Sequence, residues 1–295
     1  MISKSTLLHL RIPFSYFLFP VFMFALASSP TLYMSRAIWV FVILHFFLYP
    51  SSNGYNSYFD KDTKSIGGLK NPPPVEKNLY FVSLFFEFIG LIFACTEVSV
   101  LFGFLLFIYG LASKAYSHPS IRLKKYPIIG WLVTGFFQGG YIFFTSYLAL
   151  NDIDLHTALK VEVLIPSFLS SLFLWGNYPM TQVYQHEEDK KRGDNTLSLA
   201  LGIKGTFLFS SIFLVLSVIG FESFLITFYN ATIALAFGLS VLPVGIFFGY
   251  WIFKVFVDIT YSNYSYTIAY NFISATSLNL FFVYLLFFRD SVSFI

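Results

Sequence analysis

Asn53, Asn56 and Asp60 stand three and seven residues apart, and Gln182, Gln185 and Asp189 repeat that frame far downstream. Each run reads amide, any residue, tyrosine (Tyr55 or Tyr184), amide, three residues, aspartate, lysine. On a helix, positions i, i+3 and i+7 share a face, so each triad presents two amides and a carboxylate to one neighbour. Sparse oxygen donors of this kind suit Mg²⁺, which takes one or two carboxylates, keeps water, and completes its shell with substrate phosphates. Asn56, Asp60, Gln185 and Asp189 are the expected ligands, with Asp62 and Glu188 as neighbouring carboxylates. A single such cluster reads as a polar helix end meeting water. Two matched clusters argue for an internal repeat with a site at its interface.

Between them, Tyr116-Ser117-His118-Pro119-Ser120-Ile121-Arg122-Leu123-Lys124-Lys125 forms a compact basic turn. Arg122, through its bidentate fork, and Lys124 can neutralise phosphate oxygens. The same charges would serve as an anchor for anionic lipid, and only the acidic clusters favour the phosphate reading. His186, beside the second cluster, has no Cys/His partners at metal-binding spacing and reads as solvated.

The elements that must hold these residues follow from composition. The 295-residue chain is 57% hydrophobic and 11% charged, against about 25% charged in soluble domains. Such a chain cannot cover a water-soluble globule with polar groups, so lipid is its expected solvent. Its single cysteine, Cys95, excludes a disulfide within the chain. Nine apolar stretches can span a bilayer, at roughly 13–33, 36–56, 78–96, 98–116, 127–149, 161–184, 205–223, 230–253 and 266–288. With the N-terminus cytoplasmic, fifteen Lys and Arg fall on the cytoplasmic side, and only Arg36, Lys160 and Arg289 on the other. That asymmetry obeys the positive-inside rule and supports the helix count. The expected fold is therefore all-α, one transmembrane domain over 1–295, with about nine helices around a central cavity. It divides into pseudo-repeats near 1–116 and 127–253 plus a final helix, 266–288. The polar loops 57–77, 113–126 and 185–204 share one face and can converge over the cavity. Glu87 is an intramembrane carboxylate, Gln138 a polar residue in helix 5, and Gly135/Gly139 and Gly245/Gly249 are small-residue pairs suited to close helix packing.

The chain resembles the UbiA superfamily of intramembrane prenyltransferases over nearly its whole length. Asn56-Ser57-Tyr58-Phe59-Asp60 is similar to that family's first aspartate-rich motif. Asp189 through Gly193 to Thr196-Leu197 is similar to the second, and Tyr116-Ser117 through Pro119 to Arg122-Leu123-Lys124 to the conserved stretch between them. The resemblance implies Mg²⁺-dependent transfer of an isoprenyl group from a prenyl diphosphate to a lipophilic acceptor of aromatic or quinone type. Asp60, Asp189, Arg122 and Lys124 would carry the chemistry. Asn53, Lys70, Tyr116, Asn177, Thr181, Tyr184 and Lys190 would contact substrate, and Tyr55, Tyr58 and Tyr184 are candidates to face an allylic cation. Membrane lipid is the other expected partner; neither nucleic acid nor a protein partner is indicated. A bacterial inner or plasma membrane with a cytoplasmic active face is the expected setting. Three positions depart from the family pattern: Ser57, Lys64 and Gln185 stand where carboxylates are usual. Those losses keep two other readings open, a terpene cyclase of the same superfamily and a non-catalytic transporter or lipid-binding protein.

Overall fold

The computed structural model describes residues 3–288, so Arg289 lies outside the described residues. Eight helices are long and apolar enough to cross a membrane: α1 (Lys4–Ser28), α2 (Met34–Asp60), α3 (Asn78–Val98), α4 (Val100–Ser117), α5 (Pro127–Asn151), α7 (Leu197–Phe228), α8 (Ala231–Val257) and α9 (Tyr264–Phe288). Between α5 and α7 lies α6, Val161–Asn177, whose 17 residues sit at the short end of what a bilayer needs. Among the described residues these nine long helices match the apolar stretches in order. No strand occurs among the described residues; an isolated antiparallel bridge pairs Ile66 with Leu69.

Aromatic packing explains why so many phenylalanines are needed. Phe24 of α1 is stacked on Phe282 of α9 at 4.7 Å, and also meets Phe143 of α5 at 4.8 Å and Phe221 of α7 at 5.2 Å. One ring thus ties four helices together through offset and tilted contacts, the arrangements that ring quadrupoles favour. The outer surface is apolar too. Leu235, Leu239, Leu242 and Ile246 follow helical spacing along α8 and are each more than half exposed. A stripe of this kind has no place in water and belongs against lipid acyl chains.

Glycines set two of the approaches that matter. A Cβ at Gly54 would come within 3.0 Å of Leu10 and 3.3 Å of Leu79, so its absence lets α1 and α3 close on the polar half of α2. At Gly139 a Cβ would meet the Ser170 carbonyl oxygen at 2.6 Å, so α5 lies backbone to backbone on α6; Gly135 similarly accepts the Trp175 indole. The Gly245/Gly249 pair behaves otherwise: a Cβ at either position meets nothing within 4 Å, so no close helix packing is built there.

The π-type turn Phe136–Tyr141 widens α5 at Gln138, a distortion common beside functional sites. Leu at position 139 should overpack the α5–α6 contact, at a cost of about 1–3 kcal/mol. Gly139→Leu is therefore expected to lower the apparent melting temperature in detergent by several degrees. Gly245→Leu should leave it unchanged, and a fluorescence melt of the two variants checks this.

Candidate active site

Around Gly54, α2 carries Asn53, Asn56 and Asp60 on one face, as their spacing requires, and all three line a cavity of about 1040 Å³ counting its open mouth. The helix stops at Lys61, which adopts a left-handed conformation (φ 51°) with its N–H bonded to the Ser57 carbonyl at 3.0 Å. That turn swings Asp62 into the cavity, although it is out of register with the helical triad. The second cluster reaches the same place by another route. α6 ends at Asn177, a 3₁₀ turn covers Tyr178–Thr181, and a short helix begins at His186 and runs to Arg192. Gln182, Gln185 and Asp189 therefore do not share one continuous helix, yet all three line the cavity.

The short helix fits its sequence. Glu187, Glu188 and Asp189 occupy its first turn and Lys190, Lys191 and Arg192 its last, each sign at the end of the helix dipole that favours it. Gly193 follows at φ 76°, where a side chain would be strained, and the reversal brings the Asp194 N–H to the Asp189 carbonyl at 2.9 Å.

Four carboxylates and three cations meet at this end of the bundle. Lys124 grips Asp60, and Arg122 reaches Asp60 at 3.3 Å and holds Asp194 through a fork of 2.6 and 2.8 Å. Arg192 donates to Asp62, to Asp189 at 2.6 Å and to Asp194 at 3.1 Å. The Asp60, Asp189 and Asp194 side chains are only 5, 7 and 1% exposed, so these are charges that must be paired. Burial pushes the Asp189 carboxyl up to about 6, against the pull of Arg192 and Lys124. Burial also raises Asp62, helped by the neighbouring Asp60 charge. Burial works to raise Asp194 as well, but its hydrogen bond from Arg122 and the Lys124 and Arg122 charges prevail and leave it lowered.

Of the other expected residues, Tyr116, Thr181 and Tyr184 line the cavity, as does Gln138. The Tyr116 hydroxyl bonds that of Tyr178, which in turn accepts from Gln182 at 3.2 Å. Seven expected residues need correction, the first being Arg122, which holds Asp60 and Asp194 from outside the cavity lining. Lys70 and Lys190 are exposed and do not line the cavity. Asn177 is displaced because the helix gives way to the 3₁₀ turn just after it, breaking the register that would have aligned it with Thr181. Glu188 faces the loop after α2, accepting from Thr63 at 3.4 Å, so it is not a ligand of the cavity. Tyr55 and Tyr58 pack against Tyr80 rather than lining the cavity. Lys64, standing where a carboxylate was expected, pairs with Glu187 and ties that loop to the short helix. Glu87 is paired with Lys114 behind the cavity wall.

Sequence reasoning passed over Arg11, Tyr178, Arg192, Asp194 and Thr196. Arg11 sits at a break in α1 (φ 49°), lines the cavity, and donates to the carbonyls of Asn53 at 3.1 Å and Gly67 at 3.3 Å. Thr196 caps α7 and donates to Asp189 at 3.4 Å. Arg192 had a signal, since it lies three residues after Asp189 on the same helical face; Arg11, alone in an apolar stretch, had only its rarity there.

The cavity's donor set fits Mg²⁺ as a sparse site. Among the described residues no three His, Cys, Asp or Glu side chains form a closed metal cage. Asp60, Asp62 and Asp189 with the amides of Asn56 and Gln185 offer oxygen only, and Mg²⁺ commonly relies on substrate phosphate for the rest. Two buried groups remain unsatisfied there, the Gln182 Oε1 acceptor and the Arg11 Nε donor, one suited to a cation or hydroxyl and one to an anion.

The UbiA prenyltransferase family model matches residues 17–263, and the chain belongs to that family. A structure of a UbiA homologue from Archaeoglobus fulgidus bound to GPP and Mg²⁺ aligns at a TM-score of 0.68 and 15% identity, over 96% of this chain and 99% of that one. An apo UbiA homologue from Aeropyrum pernix K1 aligns at 0.68 and 16%, over 98% and 99%. A structure of digeranylgeranylglyceryl phosphate synthase in membranes aligns at 0.58 and 20%, over 96% and 98%. No curated protein sequence matches the chain. The protein is thus an integral membrane protein with the UbiA fold.

A cation binds the ionised form of a carboxyl, so Asp189 must lose its proton first. With that proton leaving at about pH 6, binding should weaken as the medium turns acid. Mn²⁺ affinity is expected to fall by roughly 4-fold between about pH 7.5 and 5.5. Asp189→Asn should flatten that dependence while weakening binding throughout. Titration of the purified protein with Mn²⁺, followed by electron paramagnetic resonance, checks both.

Proposed function

We propose that this protein is an intramembrane prenyltransferase, moving an isoprenyl group from a prenyl diphosphate to a lipophilic acceptor of aromatic or quinone type. One observation carries the reading. A single cavity joins the charged end, with Asp60, Asp189, Lys124 and Arg192, to aromatic and apolar walls that include Tyr109, Phe137 and Val133. Such a cavity matches a molecule that is anionic at one end and hydrocarbon at the other. Family membership and the GPP- and Mg²⁺-bound homologue support it.

In the reaction the bond between the isoprenyl carbon and the diphosphate oxygen breaks, and the diphosphate leaves with the electron pair. Lys124 and Arg192 line the cavity where negative charge then grows, Arg122 braces Asp60 and Asp194 from outside that lining, and Arg11 adds its unsatisfied Nε–H. Donors fixed in place before the charge develops need no reorganisation, which is how such groups lower a barrier. A bound Mg²⁺, held by Asp60 and Asp189 with Asn56 and Gln185, would supply Lewis-acid stabilisation of the same charge. The rings of Tyr109 and Phe137 can face the allylic cation. The acceptor then forms the new bond to that carbon and gives up a proton. We place the active face on the cytoplasmic side, following the excess of Lys and Arg in the loops around the cavity.

Purified protein in nanodiscs, given Mg²⁺ and prenyl diphosphates of several lengths, should release pyrophosphate only when a lipid-extract acceptor is added. Asp60→Asn and Asp189→Asn should each lower that release by about 10²-fold. Release without acceptor, with a cyclised hydrocarbon as product, would assign the chain to cyclisation. No Mg²⁺-dependent release with any donor would overturn the enzyme reading.

A further inference from the structure

The basic run after Asp189 divides by direction. Lys190 points outward, and Lys191 pairs with the exposed Glu187 at 3.3 Å, as solvated charges at a membrane face do. Arg192 alone turns into the cavity. Three of its five N–H donors go to three different carboxylates, Asp62, Asp189 and Asp194, which come from the loop after α2, the short helix and the turn that follows it. Two N–H donors remain.

We propose that Arg192 is a fixed internal cation that holds the two acidic segments together in place of a second divalent ion, and that its remaining donors bind the diphosphate directly. The donor would then be received by one divalent ion, held by Asp60 and the Asp189 oxygen that Arg192 leaves free, and by the Arg192 guanidinium. Four carboxylates would be enough for two ions at one or two carboxylates each. Here, however, Asp194 lies outside the cavity lining, and Arg192 already occupies Asp62 and one oxygen of Asp189. A guanidinium is also suited to the task, being permanently charged, planar and matched to phosphate oxygens. The chain's missing acids agree with this arrangement, since Lys64 and Gln185 remove negative charge that a second ion would need.

This inference rests on the prenyl-diphosphate reading only in supposing that the cavity takes a diphosphate, so inorganic pyrophosphate is the probe. Equilibrium dialysis of the full-length protein with Mn²⁺ and pyrophosphate, against a protein-free compartment, counts ions retained per chain. The wild type is expected to retain one ion. Arg192→Met, which frees Asp62 and Asp189, should retain two and bind pyrophosphate about tenfold more weakly at limiting Mn²⁺. Arg192→Lys should still retain one. Two ions in the wild type would overturn the proposal even if Arg192→Met failed to fold. One ion in both the wild type and a folded Arg192→Met, with equal pyrophosphate affinity, would overturn it too. Absence of prenyl transfer alongside these expected counts would instead refute the proposed reaction and leave the role of Arg192 standing.

Discussion

A carboxylate near the membrane face cannot be left without a counter-charge, and most of the site follows from meeting that demand. Removing one partner of a buried ion pair typically costs about 3–5 kcal/mol, because the other charge is stranded in a poor solvent. Asp60, Asp62, Asp189 and Asp194 are therefore matched by Lys124, Arg122 and Arg192. Those pairs draw the loop after α2, the turn after α4 and the short helix before α7 over one opening. The apolar helices below provide the scaffold, and the charges decide which of their ends close together.

The same pairing shapes the chemistry. In the proposed reaction, cations that neutralise the resting carboxylates are already positioned for an incoming diphosphate, which would add its charge around fixed donors. Pre-organisation of this kind is worth most where water is scarce. Below the charged layer the lining turns to Tyr109, Val133 and Phe137, which suits a hydrocarbon tail. Depth in the cavity thus separates two kinds of chemistry.

Much of this was legible in the residues alone. Apolar runs of spanning length and the distribution of Lys and Arg revealed nine helices and their order, because both follow directly from lipid as solvent. The triad Asn53, Asn56 and Asp60 was readable because α2 is regular there. The matching triad was found at the right place for a partly wrong reason. Pro179 lies inside the 3₁₀ turn that interrupts the helix after Asn177, so Gln182, Gln185 and Asp189 converge through a turn rather than along one face. That interruption also removed Asn177 from the cavity. Asp62 was recognised as a candidate, but its entry depends on a left-handed Lys61, a conformation no periodicity announces. Asp194 was hidden by its neighbours, and the spacing of Arg192 from Asp189 was masked by them, since a dense run of charge normally reads as a solvated helix face. Only the tertiary fold shows which of those charges turn inward.

The central claim is that one cavity receives a prenyl diphosphate, head at the ion pairs and tail among the aromatic walls. An experimental structure with Mn²⁺ and a non-hydrolysable prenyl thiodiphosphate tests it most directly, because the anomalous signal of Mn²⁺ locates the metal independently of the chain. The account predicts a metal peak bonded to Asp60, diphosphate oxygens on Lys124 and Arg192, and a tail passing Tyr109 and Phe137. Metal and diphosphate bound outside this cavity, with the Lys124–Asp60 and Arg192–Asp189 pairs undisturbed, would contradict it.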